Sequence, residues 1–455
     1  MSELTAVVLA AGRGTRMRSA TPKMLHDLCG RALVAWPAGA VQDAGAGRVV
    51  VVVSPDIDIA EALPQDAVRV VQQEANGTGG AVVAAREALP DTGTVLVVNG
   101  DVPLVDGTAL RGLLTAHEAA GAAATVGSAV LDEPGQYGRV VRGADGSVEQ
   151  IVEAKAEGDA TPEQLAIREV NAGVYVFEAA ALGEALRLLK PDNAQGELYL
   201  TDCVAHLRAA GKPVAAHDLG PEAMLGVNDR VELAAVRAIA QRRILEGHMR
   251  AGVTVTDPGS VVVDADVTIG QDATIEPGTT LRAGTSVGAR ATVGPHTTAT
   301  ASAIGDGARV LHSVLDQAEV GEGASVGPFA YLRPGTVLRE GAKAGTFVEL
   351  KNSDIGAGTK VPHLSYIGDA DVGPGTNLGA ATITANYDGR TRTKSRTTIG
   401  AEVKTAVDTT LVAPVTLGDR AFTAAGSVIT DDVEPGALAV ARARQKNIQG
   451  YADRD

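Results

Sequence analysis

A glycine-rich turn near the start of the chain has the residue types that bind phosphate groups. It reads Leu9-Ala-Ala-Gly12-Arg-Gly14-Thr-Arg16-Met17, follows an apolar run and precedes Thr21-Pro22-Lys23. A strand that enters such a turn lets backbone N–H groups approach a phosphate chain, whose charge Arg16 and Lys23 would offset. The turn lacks both the ending of a Walker loop and the ribose-binding acid of a dinucleotide fingerprint. It therefore predicts a phosphate site of another kind.

A carboxylate follows another apolar run, at Asn99-Gly100-Asp101. The carboxyl end of a parallel strand is where α/β sheets bind ligands. A carboxylate at such a position is one of the hard oxygen ligands that Mg²⁺ prefers. Taken alone, Asp101 would more often be a turn or helix-capping residue. A metal role for Asp101 is what the family resemblance given below implies.

The elements that would position these groups change along the chain. Up to about residue 227, the apolar runs Leu4–Leu9, Arg48–Ser54 and Thr94–Asn99 alternate with helical patterns at Gly80–Leu89 and Thr108–Ala120. The alternation predicts an α/β domain with a Rossmann-like, mainly parallel sheet. We place this domain at 1–227, a linker helix at 228–250, a repeat domain at 251–438 and a tail at 439–455.

The repeat domain has aliphatic residues at every sixth position, many of them followed by Gly. The positions in step are Ile269, Ile275, Leu281, Val287 and Val293, then Val314, Val320, Val326, Leu332, Leu338 and Ala344, then Ile355, Val361 and Ile367, and then Ile399, Leu411 and Leu417. This period is typical of hexapeptide repeats that form a left-handed parallel β-helix, with one inward aliphatic side chain per short strand. We expect about nine or ten coils, and we expect Thr384–Thr398 to leave the prism as a loop.

Composition excludes several classes of protein. The 455 residues carry 40 basic and 55 acidic side chains, a formal charge of −15, which argues against a nucleic-acid-binding surface. Cys29 and Cys203 are too few for a disulfide scaffold, and no His/Cys spacing predicts zinc. There is no signal-peptide pattern and no run of about 18 apolar residues. We therefore expect a cytoplasmic protein without a membrane partner.

The glycine-rich turn with its Pro-Lys resembles the signature of the sugar-phosphate nucleotidyltransferases. The likeness continues through Gln72, Gly77-Thr78, Tyr137-Gly138-Arg139, Glu153, Asn171-Ala-Gly173 and Gly226-Val-Asn228. It implies that Arg16 and Lys23 are catalytic and that Asp101 and Asn228 bind Mg²⁺. The residues implied to contact UTP or the sugar are Leu9, Ala10, Ala11, Gly12, Gly14, Gln72, Gly77, Thr78, Gly138, Glu153, Asn171 and Asn228.

Both halves together closely resemble a family of bifunctional bacterial enzymes, N-acetylglucosamine-1-phosphate uridyltransferases that are also glucosamine-1-phosphate N-acetyltransferases. The motifs in the repeat half are Leu332-Arg333-Pro-Gly335, Val348-Glu-Leu-Lys351-Asn352, His363-Leu-Ser-Tyr366-Ile-Gly-Asp-Ala370, Asn377-Leu-Gly-Ala380 and Asn386-Tyr387-Asp388-Gly389. The resemblance implies acetylation of glucosamine-1-phosphate by acetyl-coenzyme A, then uridylyl transfer from UTP. The products are UDP-N-acetylglucosamine, for peptidoglycan and the cell wall, and pyrophosphate. It also implies a homotrimer.

The resemblance assigns roles that suit the residue types. His363 would take a proton from the substrate ammonium, because imidazole titrates near neutral pH, and Arg333 and Lys351 would bind the phosphate. Asn386 is expected to orient His363 or to donate to the developing oxyanion. The implied substrate contacts are Arg333, Lys351, Tyr366, Asn377, Asn386, Tyr387 and Lys394, and the implied acetyl-coenzyme A contacts are Ala380, Val407, Ala425 and Arg442.

The chain departs from the family pattern at one point of the coenzyme site. Ala406-Val407-Asp408 stands where the family usually has Gly-Ser-Asp, and Ala381 replaces a frequent Gly. The missing Ser hydroxyl predicts weaker binding of acetyl-coenzyme A, with His363 left in place.

Two other functions stay open at the level of sequence. One is a single-activity nucleotidyltransferase, such as a glucose-1-phosphate type, whose repeats serve assembly only. The other is a regulatory or exchange-factor subunit that uses both folds as an interaction platform. The presence of Arg16, Lys23 and Asp101 favours an enzyme, and His363 with Asn386-Tyr387 favours the bifunctional one.

Overall fold

The computed structural model describes residues 4–154, 160–193 and 195–453. The chain divides into two compact units, Met1–Ala240 and Gln241–Asp455. The division falls inside one long helix.

A mainly parallel sheet forms the centre of the first unit. The strands of this unit are β1 (Leu4–Ala10), β2 (Asp27–Leu28), β3 (Arg31–Ala32), β4 (Arg48–Val53), β5 (Val68–Val71), β6 (Thr94–Asn99), β7 (Ala124–Val130), β8 (Arg139–Arg142), β9 (Val148–Val152), β10 (Glu169–Glu178) and β11 (Val214–Asp218). The sheet order is β11-β7-β10-β6-β1-β4-β5, with β8 and β9 attached to β10. Strand β10 runs antiparallel to β6 and β7, whereas β1 pairs in parallel with β4 and β6.

Helices cover both faces of this sheet. The helices of this unit are α1 (Ala35–Asp43), α2 (Gly77–Ala84), α3 (Gly107–Ala120), α4 (Pro162–Leu165), α5 (Ala179–Leu186) and α6 (Asp202–Ala209); α7 (Arg230–Arg250) is the long helix that contains the division between the units. In β4, Val50 and Val52 enter one buried cluster, and Val49, Val51 and Val53 enter the other. A strand buried on both faces needs a continuous apolar run, which confirms the α/β prediction. The predicted helix Gly80–Leu89 has different bounds in the structure, since α2 begins at Gly77 and ends at Ala84.

The second unit is a three-sided, left-handed parallel β-helix. Its first face contains Thr254–Val255, Thr274–Ile275, Thr292–Val293, Arg309–Val310, Ser325–Val326, Lys343–Thr346 and Lys360–His363, and later Phe422–Thr423 and Leu438–Ala439. Its second face contains Val262–Val263, Thr280–Leu281, Thr298–Thr300, Val314–Asp316, Tyr331–Leu332, Glu349–Lys351, Tyr366–Gly368, Ile383–Ala385, Thr410–Val412 and Val428–Ile429. Its third face contains Thr268–Ile269, Ser286–Val287, Ala303–Ile304, Glu319–Val320, Val337–Leu338, Asp354–Ile355, Ala370–Val372, Thr397–Ile399 and Val415–Leu417.

The inward positions form one continuous apolar cluster along the prism. The predicted six-residue register was wrong at Val314, which is 46 % exposed, while Leu315 is fully buried. The cause is a shorter coil. On the second face Ala299 follows Leu281 by 18 positions, but Leu315 follows Ala299 by only 16. The lost turn residues shift the inward position, although the ten strands of this face agree with the expected number of coils.

The segment predicted to leave the prism, Thr384–Thr398, does so only in its middle. Its ends belong to the prism strands Ile383–Ala385 and Thr397–Ile399. Between them, Tyr387–Asp388 and Thr393–Lys394 form an antiparallel hairpin in which Tyr387 pairs with Lys394. At its base, Arg396 Nε and Nη2 donate to the two Asp371 carboxylate oxygens, at 2.6 and 2.5 Å. This ion pair fixes the hairpin to the third face.

A column of large side chains follows the turns between the first and second faces. We call this set the corner column: His296, His312, Phe329, Phe347 and Leu364. All five residues have a positive φ, between 43° and 60°. Successive rings lie 5.2 to 5.6 Å apart between centroids. Phe329, Phe347 and Leu364 are more than half exposed, so the column presents apolar surface to solvent.

The start of the prism is covered by its own helix residues. Gln241 Nε2 donates to Val263 O (2.6 Å), and Val263 N donates to Gln241 Oε1 (2.9 Å). Leu245, one turn further on, belongs to the apolar cluster of the prism.

Candidate active sites

The glycine-rich turn brings Lys23 close to the end of β1. The backbone passes through Gly14 with φ +62°, and an added Cβ there would collide with the Lys23 side chain. A residue without a side chain is therefore needed for the two segments to approach. Lys23 is only 7 % exposed, unusual for a lysine, and its Nζ lies 2.6 Å from Asp101 Oδ2. Asp101 follows β6, the neighbour of β1, so the turn and the carboxylate meet at the same edge of the sheet.

A second basic residue contacts the other predicted metal ligand. Arg16 Nη2 donates to Asn228 Oδ1 at 2.9 Å. Val227 N donates to Asp101 O (2.9 Å), which places Asn228 beside the end of β6. The Asn228 backbone N–H donates to Glu232 Oε2 (2.6 Å), in the first turn of α7. Two cationic groups thus face two oxygen ligands at one edge of the sheet.

These residues border a cleft of about 660 Å³. Seven of the predicted residues line it: Arg16, Thr78, Asp101, Gly138, Glu153, Asn171 and Asn228. The other predicted residues of this half, Leu9, Ala10, Ala11, Gly12, Gly14, Lys23, Gln72 and Gly77, do not line the cleft. Lys23 reaches it through its bond to Asp101. The cleft is therefore built from segments more than 200 residues apart.

The segment from Gln72 to Thr78, which contains three of the implied UTP or sugar contacts, is held together by the Gln72 side chain. The side chain is buried, and its Nε2 donates to Asn76 Oδ1 (2.9 Å) and to Gly77 O (3.1 Å). Thr78 Oγ1 accepts from Leu200 N at 3.2 Å. These bonds fix the start of α2 against the chain near residue 200. In the structure Gln72 shapes the loop, whereas Thr78 borders the cleft.

Asn171 and Glu153, two of the residues implied to contact UTP or the sugar, also line the cleft. Asn171 Nδ2 donates to Tyr175 Oη (2.7 Å), and Asn171 Oδ1 accepts from Gly173 N (3.0 Å). Glu153 Oε1 accepts from Thr201 Oγ1 at 3.3 Å. Burial, with Glu153 nearby, raises the pKa of Tyr175, so its hydroxyl keeps its proton.

Several residues that line the cleft were given no role from the sequence. Tyr175, Thr201, Met224 and Glu232 all line the cleft. Thr201 comes from a remote segment and has no local signal. Tyr175 lies four positions after Asn171 on the same strand, and Glu232 four positions after Asn228, spacings that could have drawn attention to both.

The proposed Mg²⁺ ligands suit that ion. The Asp101 carboxylate and the Asn228 amide are hard oxygen donors that converge at the cleft, each already facing a cation. Within residues 4–154, 160–193 and 195–453 there is no group of three or more His, Cys, Asp or Glu side chains that could hold a metal. Two protein oxygens leave most positions to water and phosphate, as Mg²⁺ usually requires.

The second face of the prism carries a charged cluster on neighbouring strands. Tyr331, Glu349 and Tyr366 are in register across three strands. Arg333 Nη1 donates to Glu349 Oε1 at 2.8 Å, and this bond raises the pKa of Arg333. The carboxylate fixes the guanidinium at the surface of the face.

Two lysines meet beside this cluster. Lys394 comes from the hairpin and Lys351 from the second face, and contact with Lys351 lowers the pKa of Lys394. Adjacent ammonium groups repel one another, and an anion between them would relieve the repulsion. The structure therefore brings Lys351, Lys394, Arg333 and Tyr366 together as a site suited to a phosphate.

His363 lies at the corner where the first face ends. It pairs in register with Thr346, and its side chain is exposed at the surface of the prism. Asn386 does not bond to His363. Its Nδ2 donates to Asp369 Oδ2 (2.5 Å) and lies 3.4 Å from Tyr366 Oη. The Asn386 amide nitrogen, which was expected to orient His363 or to donate to an oxyanion, therefore donates within the prism instead.

The remaining predicted contacts lie elsewhere on the prism. Asn377 is on the first face, between Lys360 and Lys404, away from the charged cluster on the second. Ala380, Val407 and Ala425 stack on successive coils, since Asp408 N donates to Ala380 O (2.9 Å) and Gly426 N donates to Val407 O (3.0 Å). Arg442 is exposed beyond the last strand, and Tyr387 is exposed on the hairpin. In the part of the chain that the structure describes, no helix is both long and apolar enough to cross a membrane.

Comparison with known proteins accounts for both halves. Residues 6–174 match the model of the MobA-like NTP transferase domain. The whole chain is 50 % identical to the Bifunctional protein GlmU of Mycolicibacterium vanbaalenii, over 94 % of that protein. It is also 50 % identical to the Bifunctional protein GlmU of Mycolicibacterium gilvum, over 92 % of that protein. Over 98 % of its length it is 48 % identical to the Bifunctional protein GlmU of Mycobacterium tuberculosis, covering 92 % of that protein.

The sequence identity of about one half extends over the entire chain, so both units have a counterpart in these relatives. It excludes the single-activity and non-enzymatic alternatives, since the relatives combine two functions on one chain. The chain therefore belongs to the GlmU family and is a bifunctional transferase, a UDP-N-acetylglucosamine pyrophosphorylase and glucosamine-1-phosphate N-acetyltransferase.

Proposed function

We propose that the cleft of the first unit is the site of uridylyl transfer. A phosphate oxygen of N-acetylglucosamine-1-phosphate attacks the α-phosphorus of UTP, and pyrophosphate leaves with the electrons of the broken P–O bond. The attacking oxygen is already anionic, so no general base is required. The observation that carries this proposal is the pairing of Lys23 with Asp101 and of Arg16 with Asn228 at one edge of the sheet.

Arg16 and Lys23 would exchange these partners for phosphate oxygens. Charge accumulates on the phosphoryl oxygens during transfer, and the two cations would stabilise that charge once they face the phosphates. Asp101 and Asn228 would hold Mg²⁺, which neutralises phosphate charge when bound. Glu153, Asn171 and Gly138 would contact the sugar, with the Asn171 amide oriented by Tyr175.

Acetyl transfer is proposed for the prism, at the corner that carries His363. The imidazole takes a proton from the substrate ammonium, and the neutral amine attacks the thioester carbonyl of acetyl-coenzyme A. The tetrahedral intermediate collapses, the C–S bond breaks, and the thiolate leaves and is protonated. Arg333, Lys351, Lys394 and Tyr366 would hold the phosphate and sugar, because their polar atoms meet on the second face.

The acetyl-coenzyme A arm would follow the stack of Ala380, Val407 and Ala425. Small side chains on successive coils leave room for an extended chain along the prism, with strands about 4.8 Å apart. Arg442, with Arg444 and Lys446 close by in the sequence, would meet the phosphates at the far end. The Val407 side chain is half exposed in this stack, where a Ser hydroxyl would offer a hydrogen bond.

We propose a homotrimer in which each acetyl-transfer site lies between neighbouring prisms. Asn377 is on the first face, whereas Arg333, Lys351 and Tyr366 are on the second. A second copy packed at the corner would bring a first face opposite a second face. The exposed apolar residues of the corner column, next to His363 in sequence and in space, support an interface there.

The remaining proposals concern organisation and biological role. The functional division is proposed at 1–227 and 251–438, joined by residues 228–250 and followed by the tail. The product would serve peptidoglycan synthesis in the bacterial cytoplasm.

A single assay of the purified chain tests these proposals. Glucosamine-1-phosphate, acetyl-coenzyme A, UTP and Mg²⁺ are supplied together, and each is omitted in turn. We expect coenzyme A release to need only the first two. Pyrophosphate release should need all four unless N-acetylglucosamine-1-phosphate is supplied directly. Pyrophosphate release without Mg²⁺ would contradict the metal role.

A further inference from the structure

The carboxylate of Asp369 is buried within the proposed acetyl-transfer site. The residue directly follows the strand Tyr366–Gly368, has φ +50° and is 8 % exposed. Its backbone N–H donates to Lys351 O (2.9 Å), and its carbonyl accepts from Thr397 N (3.0 Å). The position of Asp369 is therefore fixed by the coils on both sides.

Both carboxylate oxygens are occupied by side-chain amides. Oδ1 accepts from Asn352 Nδ2 at 2.6 Å, and Oδ2 accepts from Asn386 Nδ2 at 2.5 Å. Asn386 Nδ2 also lies 3.4 Å from Tyr366 Oη. Across the described residues, nothing donates to Asn386 Oδ1. Since the amide nitrogen faces Asp369 and Tyr366, the carbonyl oxygen on the other side of the amide is left as an acceptor.

A glycine allows these groups to meet. A Cβ at Gly368 would collide with the Tyr366 hydroxyl and would lie 2.9 Å from Asn386 Nδ2. The bare backbone at this position lets Tyr366 and Asn386 approach the strand that precedes Asp369. The arrangement is thus specified by backbone as well as by side chains.

Asp369 is also the negative charge beside two ammonium groups. Burial alone would raise its pKa, but the bonds from Asn352 and Asn386 and the charges of Lys351 and Lys394 bring the pKa below its usual value. The group is therefore ionised at neutral pH. It offsets part of the positive charge that Lys351 and Lys394 present to a phosphate.

We propose that Asp369 is a positioning residue for acetyl transfer: it holds the Asn386 amide so that its carbonyl oxygen faces the substrate amine. The inference rests on the proposed acetylation of glucosamine-1-phosphate. An attacking amine carries N–H groups and needs an acceptor to orient its lone pair toward the thioester. Asn386 then acts as a hydrogen-bond acceptor, not as an oxyanion donor.

The test is Asp369→Asn, which keeps the shape and places an NH₂ group opposite Asn386. Loss of a hydrogen bond to a charged group predicts a fall in acetyl-transfer kcat of roughly 10- to 100-fold. KM for glucosamine-1-phosphate should stay constant or fall, because Lys351 and Lys394 lose their neutralising charge. A general loosening of the site would raise KM instead. Unchanged kcat, or a raised KM with unchanged kcat, would overturn the inference.

A double-mutant cycle separates positioning from a merely structural role. In an Asn386→Ala background, Asp369→Asn should lower kcat by no more than about twofold, since its effect passes through Asn386. A loss as large as in the wild-type background would contradict action through Asn386. Asp354→Asn is the matched control. It breaks the Arg339 ion pair on the third face of the same prism and should leave acetyl transfer unchanged.

Folding and the proposed function are controlled separately. If Asp369→Asn unfolds the prism, the exchange Asp369→Asn with Asn386→Asp restores one carboxylate and one amide across the pair. This exchange variant should regain folding and acetylate faster than the Asp369→Asn variant, and failure to do so would refute the pairing. A wild-type protein that releases no coenzyme A with glucosamine-1-phosphate refutes the proposed function. Active wild type with a fully active Asp369→Asn refutes only this inference.

Discussion

Lys23 Nζ lies 2.6 Å from Asp101 Oδ2, so an ammonium group already occupies the carboxylate that we propose as a metal ligand. The lysine is almost fully buried, and the aspartate is largely so. A divalent cation and Lys23 would therefore compete for the same oxygen. Binding of metal and nucleotide would release Lys23 from Asp101 and make it available to phosphate.

Removal of the Lys23 charge should affect metal binding and turnover in opposite directions. In Lys23→Met we expect Mn²⁺ to bind roughly three- to tenfold more tightly, because no cation competes for Asp101. Uridylyl transfer should fall, because the phosphates lose their cation. Electron paramagnetic resonance of free Mn²⁺ measures the affinity, with Asp101→Asn as the weak-binding control. Equal Mn²⁺ affinity in wild type and Lys23→Met would rule out competition.

The two activities should be separable by single substitutions. Asp101→Ala should lower uridylyl transfer by about 100- to 1000-fold and spare acetylation, since it removes a charge-stabilising group from one cleft only. His363→Ala should lower acetylation by about 100- to 10,000-fold through loss of a general base, and spare uridylyl transfer. Pyrophosphate and coenzyme A release are measured on each variant. Parallel loss of both activities in either protein would argue against separate sites.

The departure at Val407 predicts a gain of function. Val407→Ser should lower KM for acetyl-coenzyme A by about two- to tenfold, the effect of one added hydrogen bond. Val428→Ser is a suitable control, because Val428 is about as exposed as Val407 but lies on the second face, outside the proposed coenzyme stack. An unchanged KM in Val407→Ser would show that the hydroxyl is not needed here.

The proposed trimer should depend on the corner column. Phe347 is 57 % exposed, and a carboxylate at this position would be buried without a partner in an interface. Phe347→Asp should give monomers by sedimentation velocity and lose acetylation, with uridylyl transfer retained. Val231→Asp, at an exposed position on α7, should remain trimeric. A trimeric, fully active Phe347→Asp protein would move the interface elsewhere.

Asp369 should also make the prism sensitive to acid. Its folded pKa is depressed below the ordinary 3.8, so its stabilising contribution is complete above about pH 5 and is lost as the pH falls through the folded pKa. The difference in unfolding free energy between wild type and Asp369→Asn should therefore shrink as pH falls below 3.8. Urea denaturation between pH 3 and pH 7 measures it. A difference independent of pH would show that the carboxylate charge is not stabilising.

The fold could be predicted because both halves repeat simple patterns. The valine run of β4 and the six-residue period each depend on side chains close in sequence. Val314 was assigned to the core because a shortened coil cannot be recognised until its neighbours are stacked. The predicted loop Thr384–Thr398 is too long for a similar reason. Thr384 and Thr397 belong to prism strands, which the six-residue period does not show at these positions.

The sites were predicted less completely, because their contacts cross long stretches of chain. The motif residues Arg16, Asp101 and Asn228 do meet in one cleft. Thr201 and Asp369 were given no role from the sequence, since each contacts its site through a hydrogen bond to a distant residue, Glu153 or Asn386. Asn386 Nδ2 donates to Asp369, and these two residues lie on coils that become neighbours only after folding.

The Gln241–Val263 contact has a consequence for how the molecules behave in a concentrated solution. A stack of parallel coils ends in backbone that is free to accept another strand, which is the starting point for fibre growth. The Gln241 side chain imitates a peptide group, giving one donor and one acceptor to Val263, and it is followed by helix, which cannot extend a β-ladder. This amide thus terminates the ladder of the second face at its first coil, where a strand of another prism would otherwise pair.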